Sequence, residues 1–418
     1  MIRRGFLAAA LAAGWSLAAA GQARAQLFAT VAPAVGGGAT DNATLTANGA
    51  TPTGDAFGTA GGSLHLRYQT PRANQAIGYR FMLTHYVDTD VPVTDGLYNA
   101  LMIASSFTPT ARLALQLNLN MELSRVSNID PANPVTVAPQ AALAGSTLYL
   151  NTTVSQGMGY QPDARHSYSE LLTFSQLRYP EAATPLPTTT LVSVLLRGTL
   201  LLGRELYGVD LSVGDSYTPT DPAIMQGTFA QGQTFLAQAL FGWRHELSPM
   251  WSTLLQAGPS VLVKLDGTGV LAPAGSATIN YSRVPWFAGL TLSQAPAANI
   301  YFGDATITDQ VMARVGLPLT RNELIYVGGF GAYLYARVAN GQAQLARDFD
   351  QFSGGLSLFV RFGRLPIAGA ATYMALTQRG SNLPNHEIPD LARQTVLVTI
   401  SGVLNFGKGT PPLFGGLL

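Results

Sequence analysis

Few residues in this sequence combine the types and the spacing that catalysis or metal binding requires. The five histidines, His65, His85, His166, His245 and His386, do not form the HExxH-like spacing of a metal site. The chain has no cysteine, which excludes a disulfide framework, a thiolate metal site and a cysteine nucleophile. His85 and the pair His166-Ser167 could supply a base and a hydroxyl, but no further residue marks them as a catalytic pair. We therefore expect no enzyme, no catalytic or metal-binding residue and no cofactor.

The first 25 residues have the three parts of a secretory signal peptide. Arg3 and Arg4 form a basic start, residues 6–20 are rich in alanine and leucine, and Ala23-Arg24-Ala25 has the small-x-small form of a cleavage site. The apolar part is too short to make a convincing membrane anchor. We predict export of the chain and removal of residues 1–25.

The charge content is low and nearly balanced. Charged residues are 11% of the chain, against about 25% in ordinary soluble proteins. After removal of residues 1–25, 21 basic and 23 acidic side chains remain, because that segment holds three arginines and no acid. Binding to phosphate backbones requires a basic face, so nucleic acid is not an expected partner.

The clearest pattern in the chain is a strict alternation between residues 113 and 124. Leucine or methionine occupies every odd position from Leu113 to Leu123, and small or polar residues occupy the even positions. A helix would spread these leucines around its circumference, whereas a strand places them on one face. One apolar and one polar face is typical of a strand between lipid and water. The polar face predicts four lumen-facing side chains: Gln116, Asn118, Asn120 and Glu122.

Similar alternation recurs along the chain. It is clear at residues 77–83, 192–202, 324–334, 352–362 and 396–406. In the segment 324–334, Tyr326, Phe330 and Leu334 are expected on the apolar face, and Gly329, Gly331 and Arg337 on the opposite face. Weaker strands are expected near residues 97–107, 146–156, 167–179, 206–217, 235–247, 251–264, 277–292, 306–317 and 366–378. Tyrosines and tryptophans such as Tyr86, Tyr168, Trp251 and Trp286 fall near the expected strand ends, as in interfacial aromatic belts, although aromatic residues also favour strands in general.

These segments predict an all-β protein, a transmembrane antiparallel up-and-down β-barrel. Past residue 25 no apolar run of about 20 residues exists, and lipid admits only helices or closed barrels. At roughly 20–24 residues for each strand with its connection, residues 63–406 hold about 16 strands, within a range of about 14–18. Barrels of that size enclose water. Residues 26–62 are an N-terminal segment that could be a first strand, a plug or a disordered lead. The glycines at 36–38 and 61–62 in this segment are interpreted as loop. Residues 407–418 are a C-terminal tail.

Strand parity predicts which charged side chains point into the lumen. The basic ones are Arg67, Arg80, Arg197, Arg244, Lys264, Arg314 and Arg361, and the acidic ones are Glu122, Asp210 and Glu246. Charged rings set the sign of the solutes that a pore admits, so the basic excess predicts a mild preference for anionic or neutral, sugar-like solutes. The alternative is that these side chains only hydrate the lumen and form cross-strand ion pairs.

The predicted signal peptide, the alternating segments and a last strand that ends on Phe406 resemble bacterial outer-membrane β-barrel proteins of the porin type. The final aromatic residue resembles the signal that the barrel-assembly machinery reads, although residues 407–418 continue beyond it. The run GGGATDN from Gly36, followed by GTAGGSLHLRY from Gly58, is similar to porins found beside exopolysaccharide pathways. The resemblance implies the outer membrane of a Gram-negative bacterium, with lipid, lipopolysaccharide and the assembly machinery as partners.

A wet lumen in such a barrel predicts a pore for passive diffusion of small hydrophilic solutes. The alternatives are an export channel for an exopolysaccharide and a structural or adhesive barrel without an open lumen. The longest connections, at residues 126–145, 180–187, 218–233 and 380–393, are expected to constrict the pore or to lie at the surface. The sequence leaves the oligomeric state open.

Overall fold

A computed structural model shows that the chain forms one β-barrel. The structure describes residues 26–43, 54–88, 96–125, 148–180, 188–218, 232–264, 267, 269–283, 285–299, 304–320, 324–338, 348–362, 366–380 and 390–406. Within these ranges, no helix has the length and apolar character needed to cross a membrane. The predicted signal peptide, the tail after Phe406 and most of the four long connections lie outside the described residues.

Antiparallel strands account for nearly all of the described chain. They are β1 (Gln26–Thr40), β2 (Asp55–Gln69), β3 (Ala73–Tyr86), β4 (Gly96–Thr110), β5 (Leu113–Arg125), β6 (Leu148–Tyr160), β7 (His166–Arg178), β8 (Thr189–Leu202), β9 (Glu205–Thr218), β10 (Gly232–Glu246), β11 (Trp251–Lys264), β12 (Gly269–Arg283), β13 (Trp286–Asn299), β14 (Asp304–Pro318), β15 (Ile325–Val338), β16 (Phe349–Arg361), β17 (Ile367–Gly380), β18 (Leu391–Gly402) and β19 (Leu404–Phe406).

Each strand pairs with the strands before and after it in the chain, and the first strand closes the ring. β1 pairs with β2 along its whole length and with β18 and β19 on its other edge, where Thr40 lies opposite Thr395 and Ala29 opposite Phe406. Because β19 continues β18 past Val403, the wall has 18 strands, β1 to β18. The predicted all-β, up-and-down barrel is confirmed, with two strands more than the best sequence-based number and at the upper end of its range.

Three strands are additional to the segments that the alternation indicated. Two of them are β1, at residues 26–40, and β2, which begins at Asp55 rather than at residue 63. The single strand expected at 277–292 is two strands, because Pro285 lies in the turn between β12 and β13. Proline has no N–H to give to a sheet, so a turn accommodates it at no cost to the ladder.

The glycine runs at residues 36–38 and 61–62 lie within β1 and β2, so their interpretation as loop is wrong. A Cβ at Gly38 would overlap the carbonyl oxygen of Val396 and approach the Phe57 ring. The Phe57 side chain, from β2, lies in one buried cluster with Leu397 of β18. Glycine is required here because the two neighbouring strands contact each other across β1.

The two ends of the barrel differ in the length of their connections. At the end that holds Gln26 and Phe406, which we call the turn end, consecutive strands are joined by two to six residues. At the opposite end, the loop end, connections reach 22 residues, between β5 and β6. Short turns on one side and long loops on the other are typical of outer-membrane barrels.

The turn between β6 and β7 is organised by Asp163. Its Oδ1 accepts hydrogen bonds from the backbone N–H groups of Arg165, at 2.7 Å, and His166, at 2.8 Å. Its Oδ2 lies 2.9 Å from Nδ1 of the His166 ring. The backbone hydrogen bond from Arg165, followed by the contacts with His166, lowers the pKa of the Asp163 carboxyl to about 2.

This pKa predicts a pH-dependent contribution of the turn to stability. Because the folded value lies below the unfolded value of about 3.9, the carboxylate stabilises the fold fully above about pH 4, and the contribution disappears as the pH falls through about 2. We expect Asp163→Ala to lower the urea midpoint at neutral pH, and the difference from the wild type to shrink between pH 4 and pH 2. A difference that stays constant across that window would show that the ionised carboxylate is not responsible.

The apolar face of the strands is the outside of the barrel. Large apolar side chains on this face are exposed, among them Leu64, Ile77, Leu196, Leu290 and Val398. On the opposite face, side chains make contacts that skip strands: Gln256 of β11 bonds Asp210 of β9, and Arg393 of β18 bonds Tyr86 of β3. Such contacts require a concave surface, so the mixed polar face surrounds the lumen.

β15 faces the opposite way from the sequence-based prediction. Phe330 lies opposite Arg314, and Tyr326 lies opposite Phe359, both on the inner face. Gly329 and Gly331 therefore lie on the outer face, where Tyr333 is 43% exposed. The prediction is wrong because Tyr326 packs inside the barrel against Phe287 of β13 and Phe359 of β16, and the glycines of this strand carry no signal of either face.

Aromatic side chains mark the outer surface at the turn end. Tyr160, Tyr168, Trp251 and Trp286 lie near the turn ends of their strands and are between 43% and 52% exposed. This is the position of an interfacial belt, where an amphipathic ring lies between lipid and water. Tyr86 is an exception to the prediction, since it is buried on the inner face at the loop end.

Candidate functional site

The inner wall is the candidate functional surface, and the register places every predicted pore-lining side chain on it. Arg67 and Arg80 lie on β2 and β3, the four polar residues of β5 follow, and Arg197 and Arg361 lie on β8 and β16. The remaining charged side chains that were predicted to point inward share this face: Asp210, Arg244, Glu246, Lys264 and Arg314. Their part in solute passage stays a prediction.

The best-defined feature of the inner wall is a row of four side chains that we call the polar ladder: Arg197, Asp210, Gln256 and Ser276. The guanidinium of Arg197 donates two hydrogen bonds to the Asp210 carboxylate, each 2.7 Å long. Gln256 donates to the same carboxylate at 3.1 Å and accepts from the Ser276 hydroxyl at 3.3 Å. The ladder thus connects β8, β9, β11 and β12.

A glycine in β10 allows the ladder to skip that strand. Gly242 lies beside Gly208 and opposite Gln256, and a Cβ there would lie 3.5 Å from Cγ of Gln256. Without a side chain at this position, Gln256 passes over β10 to reach Asp210. Sequence reasoning placed Arg197 and Asp210 on the inner face but missed Gln256, because a contact between strands that are not neighbours leaves no pattern in the sequence.

From the turn end to the polar ladder, the lumen wall is accessible to water. The Arg197 side chain is 46% exposed despite its ion pair, and Arg244 is 49% exposed. Arg67, Gln116, Asn120 and Arg314 are also exposed. Since these residues lie on the inner face, their exposed surface borders the lumen, and a charged side chain there needs hydration.

Other predicted residues are held by local partners. Arg67 donates through Nε to Asn74 at 2.8 Å, and the guanidinium of Arg80 lies 5.4 Å from the centre of the Tyr98 ring. The Tyr149 hydroxyl donates to Glu122 at 2.7 Å. Cross-strand contacts of this kind fix the direction of each side chain along the wall.

Toward the loop end the inner side chains become buried. Arg393 is only 5% exposed. Its Nε lies 3.4 Å from the Thr40 hydroxyl, and its Nη2 3.5 Å from that of Tyr86. The sequence analysis did not single out Arg393, because the alternation that places it inward says nothing about burial. The lumen is therefore narrower near the loop end than at the polar ladder.

The polar ladder yields a test of the lumen wall. Asp210→Asn removes the carboxylate and leaves Arg197 as an uncompensated cation, so we expect the ratio of chloride to potassium permeability to rise. Arg197→Gln should shift the ratio in the opposite direction, and the double variant should return near the wild type. Folding should survive, because a pair with one partner this exposed contributes about 0–1 kcal/mol. Reversal potentials in a salt gradient measure the ratio; unchanged values would place the ladder away from the ion path.

The described residues hold no group of three or more His, Asp or Glu side chains that could bind a metal ion. The His166 ring pairs with Asp163 at the turn end, outside the lumen. Ser167 bonds Thr199, at 2.6 Å, and has no contact with a histidine ring among the bonds that the structure describes. The histidine and serine side chains that could have formed a base and nucleophile pair are therefore not brought together.

Eighteen antiparallel strands, an apolar outside and a hydrated, charged inside define the class of this molecule: a transmembrane, up-and-down antiparallel β-barrel. No protein-family model and no curated protein sequence matches the chain.

Three of the similar solved structures come from Acinetobacter baumannii and Pseudomonas aeruginosa. OccAB3 of Acinetobacter baumannii has a TM-score of 0.47 at 9% identity, with 92% of this chain and 100% of that chain covered. OpdK of Pseudomonas aeruginosa, solved with vanillate, has a TM-score of 0.46 at 8% identity, with 92% of this chain and 99% of that chain covered. The siderophore receptor PirA of Pseudomonas aeruginosa has a TM-score of 0.45 at 9% identity, with 92% of this chain and 81% of that chain covered. Likeness at this level concerns barrel shape, so any function has to come from the residues of this chain.

Proposed function

We propose that this chain is an outer-membrane pore for passive diffusion of small hydrophilic solutes in a Gram-negative bacterium. The observation that carries the proposal is the hydrated inner wall, where Arg197 of the polar ladder and Arg244 of β10 each remain almost half exposed inside the barrel. A solute that enters exchanges bulk water for fixed polar groups and moves down its gradient. In such pores the short turns face the periplasm, so the turn end would lie on that side.

The charge on the wall supports a bias toward anionic or neutral solutes. Outside the polar ladder, basic side chains outnumber acidic ones on the inner face of the described strands. The basic ones include Arg67, Arg80, Arg244, Arg314 and Arg361. A net positive lumen raises the local concentration of anions. The lumen would therefore favour small carboxylates or uncharged sugars over cations.

The export alternative is less well supported by the wall. A polysaccharide track requires aromatic rings in a continuous line along the lumen. Among the described inner-face residues, the rings form separate groups, Phe57 with Tyr86 near the loop end and Phe287, Tyr326 and Phe359 near the turn end, with Phe330 between them. The third reading, a structural barrel without an open lumen, is supported only by the burial of inner-face side chains at the loop end.

Single-channel recording of refolded protein in planar bilayers tests the proposal. We expect a steady open current that needs no applied gating signal, and a shift toward cation permeability in the triple variant Arg67→Ala, Arg80→Ala, Arg361→Ala. The control is Arg283→Ala, at the turn end of β12 but on the outer face, opposite the exposed Trp286. Electrical silence of correctly folded protein would overturn the diffusion pore and favour an export channel or a closed barrel.

A further inference from the structure

The inner wall carries a group of aromatic side chains near the turn end. The rings of Phe287, Tyr326 and Phe359, on β13, β15 and β16, follow one another with 6.4 Å between successive centres. Phe330 lies on the same face, further along β15 toward the loop end. All four side chains are half-buried, so part of each ring borders the lumen. We call these four residues the aromatic shelf.

Glycines on the inner face make room for the shelf. A Cβ at Gly316 of β14 would overlap the Tyr326 hydroxyl and the Phe287 ring, so these two side chains meet over β14. A Cβ at Gly355 of β16 would lie 2.6 Å from Cε1 of Phe330, so that ring lies against the backbone of β16. The positions of the rings are therefore set by the wall itself.

Gly328 lies in the middle of the shelf and has a different role. It lies between Tyr326 and Phe330 on the inner face of β15, and on β14 it is opposite Gly316. A Cβ there would have no described atom closer than 3.8 Å, the distance to the Phe359 ring. No ring requires glycine at this position. The missing side chain therefore leaves a dent in the wall, with backbone as its floor and aromatic rings around it.

Two arginines lie beside the dent, and no carboxylate does. Arg314 of β14 is exposed, lies opposite Phe330, and makes no hydrogen bond or ion pair among those that the structure describes. Arg361 follows Phe359 on the inner face of β16, and its buried Nε has no hydrogen-bond partner among the described residues. In the turn-end half of β12 to β16, the inner face of the described strands holds no Asp or Glu. The surroundings of the dent therefore favour an anion.

Rings and cations together fit a flat ring that carries a carboxylate. Aromatic pairs attract one another in offset and edge-to-face arrangements, which the tilted rings of the shelf offer to a ring in the dent. A guanidinium donates two parallel hydrogen bonds to a carboxylate, and Arg314 has its donors available. A sugar fits less well, because its hydroxyl groups need hydrogen-bond partners and the dent offers mainly ring carbon and glycine backbone.

We propose that the aromatic shelf, with Gly328 and Arg314, is a subsite of the lumen that selects aromatic carboxylates. The ring of the solute would occupy the dent at Gly328, and its carboxylate would bind Arg314. This inference rests on the proposed function, because it names the class of solute that the same pore prefers.

Block of the single-channel current by benzoate tests the subsite. A bound solute occupies part of the lumen, so the current falls as the site fills. The comparison solute is cyclohexanecarboxylate, which has a similar size and the same charge but no aromatic face. We expect half-block at a benzoate concentration about tenfold lower, because the benzoate ring gains contacts with several rings of the shelf.

The dent is tested by filling it. Gly328→Leu should raise the half-blocking concentration of benzoate about tenfold, which is the loss of the ring contacts. The matched control is Gly159→Leu, on the inner face of β6 near the turn end, where a Cβ also has no described atom within 4 Å. It narrows the lumen by the same side chain and should leave benzoate block unchanged. Arg314→Gln keeps the dent and should weaken the block several-fold.

Saturation-transfer NMR on refolded protein in detergent measures benzoate binding without a current. A conducting wild type that benzoate and cyclohexanecarboxylate block equally would overturn the subsite and leave the pore intact. A silent protein that binds benzoate, and loses this binding in Gly328→Leu but not in Gly159→Leu, would support the subsite and overturn the diffusion pore. Absence of both current and binding would overturn both.

Discussion

Replacing Leu119 with arginine is expected to lower the free energy of unfolding by about 2–4 kcal/mol, which is the cost of a cation on the lipid face near the bilayer centre. Leu119 lies midway along β5, between Ile103 of β4 and Val154 of β6 on the outer face. Arginine here has to abandon its hydration or deform the lipid around it. Urea titration in phospholipid vesicles, followed by tryptophan fluorescence, measures the loss.

The matched control for Leu119→Arg is Asn120→Arg, one residue further along the same strand. Asn120 lies on the inner face, opposite Met102 and Thr153, and is exposed to the lumen. An arginine there stays hydrated, so we expect a change of no more than about 0.5 kcal/mol, as for ordinary surface positions. Equal losses for the two variants would mean that the faces of β5 have been assigned wrongly.

The second large effect is expected at the seam that closes the barrel. Gly38→Ala adds a Cβ that overlaps the Val396 carbonyl and crowds the Phe57 ring, so β1 and β18 must move apart. Overpacking against backbone costs about 1–3 kcal/mol, and at the seam the cost includes hydrogen bonds of the closing ladder. We expect a loss of about 2–3 kcal/mol in the same titration, together with slower refolding into vesicles.

Gly58→Ala provides the comparison for the seam. Gly58 lies on neighbouring β2, opposite Gly37, and a Cβ there would have no described atom within 4 Å. Replacing an unstrained glycine reduces the entropy of the unfolded chain, so this variant should gain about 0.4–1 kcal/mol. A loss in Gly58→Ala as large as that in Gly38→Ala would show that glycine is needed for flexibility in both strands, and not for closeness at the seam.

Together these effects place the main sources of stability at the lipid-facing surface and at the closing seam, and ion selectivity at the polar inner wall. Substitutions in the polar ladder are therefore expected to alter ion selectivity with little effect on stability, and substitutions on the outer face to do the reverse.

The sequence alone determined the class of fold and the inner face of most strands. Alternation is a local property, because successive side chains of a strand point to opposite faces whatever the strand pairs with. For that reason the ten predicted inward charges all lie on the inner wall, from Arg67 to Arg361. The pattern is less informative where glycine or proline replaces a clear polar or apolar residue, as in β1, β13 and β15.

Only the tertiary structure decided which strands meet and where the pairing between two neighbouring strands ends. Closure of β1 on β18, the reach of Gln256 across Gly242, and the end of the β12–β13 ladder at Gly275 all depend on residues distant in sequence. A period of two specifies the face of a side chain but not its neighbour, since register is set by hydrogen bonding and packing between strands. The orientation of β15 was likewise fixed by the rings that surround Tyr326 inside the barrel, and not by its own alternation.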